Sequence, residues 1–329
     1  MSKYFIGTEF FEGQGLGNQL WVYASMRGIA KKLKFNYWAS HNNRFKGNAF
    51  LDLSYTNINE EKDRTYINFY EKQFFDKELN CLLSDFDPDV LEISENTFIN
   101  GNFQSEKYFF EYSSELSEWV KLKDEFIEYS HQFKDLCILN IRGGEYKRHS
   151  NLILPKSYWE NGMKNINEKF NLDNFLIVTD DISYAKALFP NISVLDGDIA
   201  HCYAALYGAS SLIVSNSSFS YFPIKTRKDS PYVIAPYQWA RFGNKFDRWA
   251  SPANLYKDWS WMDINGEILD SRYALRKQQK TKKFYEAQYK ICTDINSIRN
   301  RNLITLIPGW VKKPIKLILS ILFPRNFGK

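Results

Sequence analysis

Apolar and polar positions alternate in blocks between residues 133 and 220, and three apolar runs stop abruptly at small, polar or charged residues. The run 137–141 ends at Arg142, 175–178 ends at Thr179-Asp180-Asp181, and 212–214 ends at Ser215-Asn216-Ser217-Ser218. Short apolar runs of this kind predict buried parallel strands, and helical patterns lie between them. The alternation predicts a parallel sheet that is covered by helices on both faces.

The pattern also predicts the individual elements. In this region they are strand 136–141, helix 155–168, strand 175–178, helix 181–188, strand 192–195, helix 198–209 and strand 211–214. Upstream, residues 4–11 predict an opening strand before a glycine-rich turn and a helix, and residues 116–132 predict another helix. We therefore expect an α/β fold with Rossmann-like domains at 1–132 and 133–271 and a separate tail at 272–329.

The three strand ends indicate a ligand site. In an open parallel sheet, ligands bind at the carboxyl ends of the strands. An arginine, an aspartate pair and a hydroxyl cluster at successive ends can together contact a pyrophosphate, a ribose and a base. The sequence therefore predicts a nucleotide-sugar site.

The turn after the first strand contains Gly13, Gly15 and Gly17, followed by Asn18 and Gln19. It matches a dinucleotide fingerprint only loosely, and no acidic residue follows at the required spacing, so NAD is not expected. We expect the glycines to let the backbone approach a ligand or the facing domain closely. Asn18 and Gln19 would offer amide groups at a helix N-terminus that favours anions. A plain tight turn is the alternative.

Composition sets the class of protein. The chain has 329 residues, 44% of them hydrophobic, which is enough for two packed domains. Its aromatic content of 17% suits carbohydrate surfaces, but ordinary cores explain it better. The four cysteines form no C-x-x-C pair, which indicates a reducing compartment and no metal site. Because a strand is predicted within a few residues of Met1, we expect no signal peptide and a cytoplasmic enzyme body.

Charge is distributed unevenly along the chain. Residues 272–329 contain fourteen Lys or Arg residues and two acidic residues, a local charge of +12, so the remainder of this +5 chain carries −7. Within this tail, the apolar segments 303–310 and 315–323 are interrupted by Pro308, Lys312, Lys313 and Pro314, which leaves no run long enough to span a bilayer. We expect a surface-lying anchor on anionic lipid. A helix docked on the body is the alternative, and nucleic acid is not an expected partner.

Four motifs occur in the order in which one glycosyltransferase family carries them. They are Gly15-Leu16-Gly17-Asn18-Gln19-Leu20, Gly101-Asn102-Phe103-Gln104-Ser105-Glu106-Lys107-Tyr108-Phe109, Thr179-Asp180-Asp181 and Ser215-Asn216-Ser217-Ser218-Phe219-Ser220. Together they resemble bacterial α-1,2-fucosyltransferases of glycosyltransferase family 11 over residues 4–250. The resemblance implies a GT-B fold, a GDP-sugar donor held mainly by the second domain, inversion at the anomeric carbon and no divalent metal.

The basic motif departs from that family at one position. The family usually has His-x-Arg-Arg-Gly-Asp-Tyr, whereas this chain has Asn140-Ile141-Arg142-Gly143-Gly144-Glu145-Tyr146. Arg142 can still make a charge-assisted, bidentate contact with the β-phosphate of the leaving group. Gly143 supplies no second cation, and the helix N-terminus, Lys147 or Arg148 would have to replace it. A different nucleotide-sugar donor is therefore the main alternative.

The resemblance also implies that Asp181 binds the guanine edge, where a carboxylate accepts two hydrogen bonds from N1–H and the exocyclic amine. Asp180 or Asp181 can instead cap the following helix, and we expect one of each, with Asp181 at the base. Asn216, Ser217 and Ser218 are expected to bind the pyrophosphate through hydroxyl groups and helix N-terminal amides. Their alternative is a helix cap without a ligand.

Glu145 and His149 are the candidates for the base that accepts the proton of the acceptor hydroxyl. For Glu145 we favour another role, which is to orient Arg142. A non-catalytic GT-B-like binding module is a rival class. An epimerase is disfavoured because Tyr184 and Leu188 do not form the Tyr-x-x-x-Lys pair that it needs. A cytoplasmic enzyme at the membrane edge would act on glycan or lipid-linked glycan intermediates of O-antigen or capsule.

Overall fold

The computed structural model describes residues 3–54 and 65–291. Two parallel sheets dominate the described part of the chain, one in each half. The first has four parallel strands, and the second has seven strands with one antiparallel pair at its edge. The molecule is therefore an α/β protein built on two parallel sheets, as the alternation predicts.

The described elements of the N-terminal half are β1 (Phe5–Glu9), α1 (Leu16–Leu33), β2 (Asn36–Ser40), β3 (Leu51–Leu53), β4 (Ile67–Tyr70), β5 (Lys72–Asp76), β6 (Cys81–Ser84), β7 (Thr97–Asn100), α2 (Leu116–Trp119), β8 (Val120–Leu122) and α3 (Asp124–Ser130). Short 3₁₀ turns connect several of them. Two small antiparallel sheets, one of β3 and β8 and one that contains β5 and β6, complete this half.

The described elements of the C-terminal half are β9 (Cys137–Ile141), α4 (Lys156–Phe170), β10 (Phe175–Thr179), α5 (Ile182–Leu188), β11 (Ser193–Val194), α6 (Ile199–Gly208), β12 (Ser211–Val214), α7 (Tyr221–Lys225), β13 (Tyr232–Pro236), β14 (Ser260–Met262), β15 (Ile268–Leu269), α8 (Ser271–Glu286) and β16 (Lys290–Ile291). All seven elements predicted between residues 136 and 214 are confirmed within two residues of their expected ends. The strand order is β2-β1-β7-β4 in the first sheet and β11-β10-β9-β12-β13-β14-β15 in the second, where the β14–β15 pair is antiparallel. The three distinctive strand ends belong to β10, β9 and β12, which are adjacent in the second sheet.

The helix predicted at 116–132 is wrong. The chain forms a single helical turn in α2, then the strand β8, and only then α3. Val120 and Leu122 are buried while Lys121 between them is exposed, and β8 pairs antiparallel with β3. Burial therefore alternates from residue to residue over Val120–Leu122, as it does in a strand. The extended backbone of Lys123 separates this strand from α3.

The tail boundary at residue 272 is also corrected. Residues 271–286 form α8, which packs on the body through Ala274, Gln278, Thr281 and Tyr285. The Tyr285 hydroxyl donates to Asp76 Oδ2 at 2.8 Å, and β16 extends the small sheet of β5 and β6. Residues 271–286 therefore form a helix docked on the body, which was the alternative to a surface-lying anchor. Residues 292–329, including the apolar segments of the expected anchor, lie outside the described residues.

Aromatic side chains join the two halves. Trp21 of α1 is fully buried and its ring centroid lies 4.2 Å from that of Tyr221 and 5.5 Å from that of Phe222. Tyr221 in turn packs on Tyr256 at 4.9 Å. These aromatic residues form a core between the sheets, as the composition indicates. Among the described residues, no helix has the length and apolar character needed to cross a bilayer.

Candidate functional site

A cleft of about 610 Å³ lies between the two halves. Its N-terminal wall is the glycine turn at the start of α1, with Lys46, Cys81, Leu82 and Gln104. Its C-terminal wall contains residues that follow β9 and β12, with parts of the chain between Trp239 and Asn254. Eight of the predicted site residues line this cleft: Gly15, Gly17, Asn18, Arg142, Glu145, Asn216, Ser217 and Ser218.

Arg142 lies at the carboxyl end of β9 and is held from two sides. Its Nη1 atom lies 3.0 Å from Asp180 Oδ2, and its guanidinium stacks over the Tyr146 ring at 5.1 Å from the centroid. Burial raises the pKa of Tyr146, whose hydroxyl donates to the carbonyl oxygen of Asn216 at 3.2 Å. The Nε atom of Arg142 is buried without a hydrogen-bond partner among the described residues. The guanidinium is therefore fixed at the cleft wall with donor capacity left over.

The position of Arg142 depends on its contact with Asp180. The parallel register pairs Thr179 with Ile141, which sets Asp180 opposite Arg142. Its other carboxylate oxygen accepts a hydrogen bond from the Gly143 backbone N–H at 2.9 Å. Glu145, the residue expected to orient Arg142, is exposed and its Oε1 lies 3.8 Å from Arg142 Nη2. Asp180 makes the closer contact and is the principal positioning residue.

The glycine that replaces the second arginine of the family motif is packed tightly. A Cβ atom on Gly143 would lie 2.7 Å from Tyr184 Cδ1 and 2.8 Å from Asp181 Cβ. These distances are shorter than van der Waals contact, so a larger side chain would displace α5 or the end of β10. The local packing therefore requires a glycine at position 143.

Asp181 is the residue that caps α5, so the expected division between the aspartates is corrected. Its Oδ1 atom accepts hydrogen bonds from Tyr184 N at 3.0 Å and from Ser183 Oγ at 2.7 Å. The Lys147 ammonium bonds to its other oxygen and is the main reason why the pKa of Asp181 falls to about 2. Asp181 is absent from the cleft lining. The capping spacing, with the carboxylate directly before Ile182, is a signal that sequence could have supplied.

The end of β12 contributes polar atoms that lack partners. Asn216 is 5% exposed, and neither its Oδ1 nor its Nδ2 has a hydrogen-bond partner among the described residues. Ser217 Oγ caps a short 3₁₀ turn by accepting from Phe219 N at 3.3 Å, and Ser218 Oγ donates to Asn18 Oδ1 at 2.6 Å. A buried amide without partners is unfavourable by about 1–3 kcal/mol. Asn216 is therefore ready to bind a polar ligand group in the cleft.

The opposite wall begins α1. Gly15 precedes the helix, no side chain caps this end, and its first turn carries no acidic residue. Asn18 Oδ1 also accepts from Gln104 Nε2 at 2.8 Å, so Asn18 links both halves. Gln19 is turned away, because its amide bonds to the backbone of Arg44 and Lys46. An uncapped N-terminus of an 18-residue helix favours a negatively charged ligand.

His149 is exposed and absent from the cleft lining, whereas Glu145 is exposed on the cleft wall. Sequence reasoning missed Lys46, which adds a second cation, and Trp239, an aromatic wall residue. Gln238 and Trp239 have consecutive left-handed backbones, with φ of 66° and 47°. Such backbone strain in non-glycine residues is concentrated at functional sites. In residues 3–54 and 65–291, no group of three His, Cys, Asp or Glu side chains is placed to hold a metal.

Neither a protein-family model nor a curated protein matches this chain. Among solved structures, it is similar to NodZ α-1,6-fucosyltransferase soaked with GDP-fucose, with 13% identity, a TM-score of 0.39 and coverage of 71% of this chain and 95% of that chain. It is also similar to fucosyltransferase NodZ from Bradyrhizobium, with 13% identity, a TM-score of 0.39 and coverage of 68% of this chain and 92% of that chain. A third similar structure is POFUT1 in complex with GDP, with 12% identity, a TM-score of 0.40 and coverage of 70% of this chain and 98% of that chain. Likenesses this distant do not decide an activity.

Proposed function

We propose that the protein is an inverting, metal-independent glycosyltransferase of GT-B type that transfers a sugar from a nucleotide donor to a hydroxyl group of a glycan. L-Fucose from GDP-fucose, transferred in α-1,2 linkage, is the donor and product that the motif resemblance favours. The proposed acceptor is a glycan or lipid-linked glycan of O-antigen or capsule biosynthesis on the cytoplasmic side of the membrane.

The observation that carries the proposal is the set of anion-binding groups around one cleft. Arg142 and Lys46 supply positive charge, the start of α1 supplies backbone N–H groups that no side chain caps, and Asn216 supplies an amide with no hydrogen-bond partner in the described part of the chain. Among the described residues that line the cleft, Glu145 is the one carboxylate. This set matches a diphosphate, whose charge needs several fixed donors.

The same groups serve the chemistry of transfer. The acceptor oxygen forms a bond to the anomeric carbon while the bond from that carbon to the β-phosphate oxygen breaks, and its electron pair leaves with the nucleoside diphosphate. Arg142 stabilises the negative charge that develops on this oxygen. Attack from the face opposite the leaving group inverts the anomeric carbon. The acceptor proton passes to Glu145, the base candidate on the cleft wall, and His149 would need to move to take that role.

Recognition of guanine by Asp181 stays within the proposal, although its carboxylate already caps α5 and bonds to Lys147. Asp181→Asn tests it, because asparagine is also a good helix cap but does not accept two hydrogen bonds from the guanine edge in the same way. If Asp181 reads the base, the variant stays folded and loses its preference for GDP over UDP. An unchanged preference would assign Asp181 to the cap alone.

Transfer itself is tested with a set of donors and acceptors. Purified protein is incubated with GDP-fucose, GDP-mannose, UDP-galactose or dTDP-rhamnose and with a panel of oligosaccharides that end in galactose. We expect a fucosylated product from GDP-fucose alone, with an α anomeric configuration by proton NMR. A product from a UDP- or dTDP-sugar would support the alternative donor, and binding of nucleotide without any product would support the non-catalytic module.

A further inference from the structure

Helix α8 has two faces that differ completely in their surroundings. Its inner face, formed by Ala274, Gln278, Thr281 and Tyr285, is buried against the body. Its exposed residues include Arg272, Arg276, Lys280 and Lys283, which recur at intervals of four, four and three. At 3.6 residues per turn, these four lie opposite the inner face in a row about 16 Å long. We refer to this row as the cationic face.

The cations of α8 divide into two groups. Lys282, at the side of the helix, pairs with Asp85 at 2.8 Å, and Lys277 pairs with Asp247. Arg276, Lys280 and Lys283 make no ion pair with any described residue, and Arg272 lies 3.8 Å from an exposed carboxylate, Asp270. The body therefore neutralises the lateral lysines, whereas three of the four cations of the cationic face have no ion pair within residues 3–54 and 65–291.

This arrangement is unfavourable for the isolated helix. Arg272 and Arg276, Arg276 and Lys280, and Lys280 and Lys283 are like-charge neighbours at i,i+4 or i,i+3, and such pairs destabilise a helix. Arg272 also lies in the first turn, where the helix dipole disfavours a cation. An anionic surface against this face would remove both effects. Cations that served only to keep the helix surface solvated would not need to be aligned along one face.

Exposed aromatic side chains flank the row at both ends. Tyr273 is 38% exposed and Phe284 is 49% exposed. The rest of the chain up to residue 271 has a net charge of −7, so a negatively charged partner is repelled by the body and attracted to this helix. We propose that the cationic face of α8 binds the anionic headgroups of a phospholipid bilayer, with Tyr273 and Phe284 at the headgroup level. The proposal is independent of the reaction in the cleft.

The test compares full-length protein with matched variants in vesicle flotation. Arg276→Gln, Lys280→Gln and Lys283→Gln together remove three charges from the cationic face. The control, Lys134→Gln, Lys186→Gln and Lys228→Gln, removes the same charge from exposed positions on the body. On vesicles of phosphatidylcholine with phosphatidylglycerol, we expect the first variant to lose about 100-fold in partition coefficient and the control to lose less than about threefold.

Two further measurements separate this face from the tail sequence. Lys312→Gln, Lys313→Gln and Lys316→Gln change only positions beyond residue 291. Salt at about 1 M instead of about 0.1 M should weaken wild-type binding strongly and binding of the α8 variant little, because the Debye length falls from about 10 to about 3 Å. Absence of wild-type binding to the anionic vesicles, or a loss confined to the tail variant, would overturn the proposal.

Discussion

Arg142 shows how one residue can be assigned a role from its position and its contacts. It follows a buried apolar strand, and the structure places it on the cleft wall against Asp180. We expect Arg142→Ala and Arg142→Lys each to reduce kcat by on the order of 10²-fold or more, because a planar donor to the leaving diphosphate is lost. Turnover within threefold of wild type at an unchanged melting temperature would reject this role.

Asp180→Asn should have a smaller effect than either Arg142 variant. The asparagine oxygen can still accept from Gly143 N, so the loop is retained, but the charge that holds Arg142 is lost. We expect kcat to fall about tenfold, which corresponds to about 1.4 kcal/mol. Addition of Asp180→Asn to Arg142→Ala should then cause no further loss. Independent, additive effects in this double-mutant cycle would show that Asp180 acts elsewhere.

Glu71 predicts a pH dependence of stability. It is 1% exposed and accepts hydrogen bonds from the backbone N–H groups of Asn102 and Phe103 at 2.9 and 3.0 Å. Burial raises the pKa of Glu71 from 4.5 to about 8, and the neighbouring Asp87 contributes in the same direction. Between these values the folded protein holds a proton that the unfolded chain has released, so rising pH lowers the free energy of unfolding.

Glu71→Gln should remove this dependence, because the amide is uncharged at every pH. The free energy of unfolding of wild type should therefore fall relative to that of the variant by up to about 1.4 kcal/mol per pH unit as the pH rises from about 5 to about 8, and its melting temperature should fall with it. Thermal melts of both proteins across this range test the prediction. Parallel curves would mean that Glu71 is ionised in the folded protein throughout.

The residue roles could be predicted only in part. The placement of Arg142, Asn216 and Ser217 at one cleft was predictable because each follows a buried strand in a parallel sheet, where the strand ends meet. Asp181, and not Asp180, caps α5 because its carboxylate is next to the first helical turn, and Asp180 contacts Arg142 because of the strand register. Lys46 gave no signal, since it lies in an irregular segment that tertiary packing brings to the cleft.

At the level of elements, α1 approaches the turn after β12 closely because Gly17 has no side chain. A Cβ at this position would lie 2.5 Å from Ser218 O and 2.6 Å from Phe219 N, which are backbone atoms. Gly17→Ala should therefore separate the two walls and destabilise the protein by roughly 1–3 kcal/mol, with weaker nucleotide binding. This close approach confirms for Gly17 the role expected of the glycine turn.

Gly15→Ala is the matched control for that prediction. No atom lies within 4 Å of the Cβ it would add, and its backbone φ of −70° suits any residue. Thermal melts and nucleotide titrations of both variants should show a loss for Gly17→Ala and a stability change within about 0.5 kcal/mol for Gly15→Ala. Equal melting temperatures for the two variants would contradict the contact at Gly17.

The alternating elements after residue 136 were predictable because their buried strands are continuous apolar runs with clear stops. Residues 116–132 were not, because Val120 and Leu122 become strand residues only through pairing with β3, a non-local contact. The docking of α8 likewise depends on partners distant in sequence, such as Asp76. The local sequence pattern therefore predicted the elements that bury a continuous apolar run. It failed where a contact with a distant strand or carboxylate determines the structure of the segment.

On the scale of the whole molecule, shape and charge act together. Two parallel sheets hold a cleft with cations and free amides on facing walls, and the aromatic core around Trp21 and Tyr221 fixes the distance between the halves. The chain charge separates into an acidic body and a basic C-terminal part. The charge of +12 in residues 272–329 could be read from the sequence. Which lysines of α8 form ion pairs with the body depends on where Asp85 and Asp247 lie in the fold.

The most direct test of the central claim is calorimetric titration of the full-length protein with GDP, UDP and dTDP. If the cleft holds the nucleoside diphosphate of a GDP-sugar, GDP should bind with one site per chain and on the order of tenfold or more tighter than UDP or dTDP. Arg142→Ala should weaken the binding of GDP while its melting temperature is unchanged. Tighter binding of UDP or dTDP, or no binding of any nucleotide, would contradict the account.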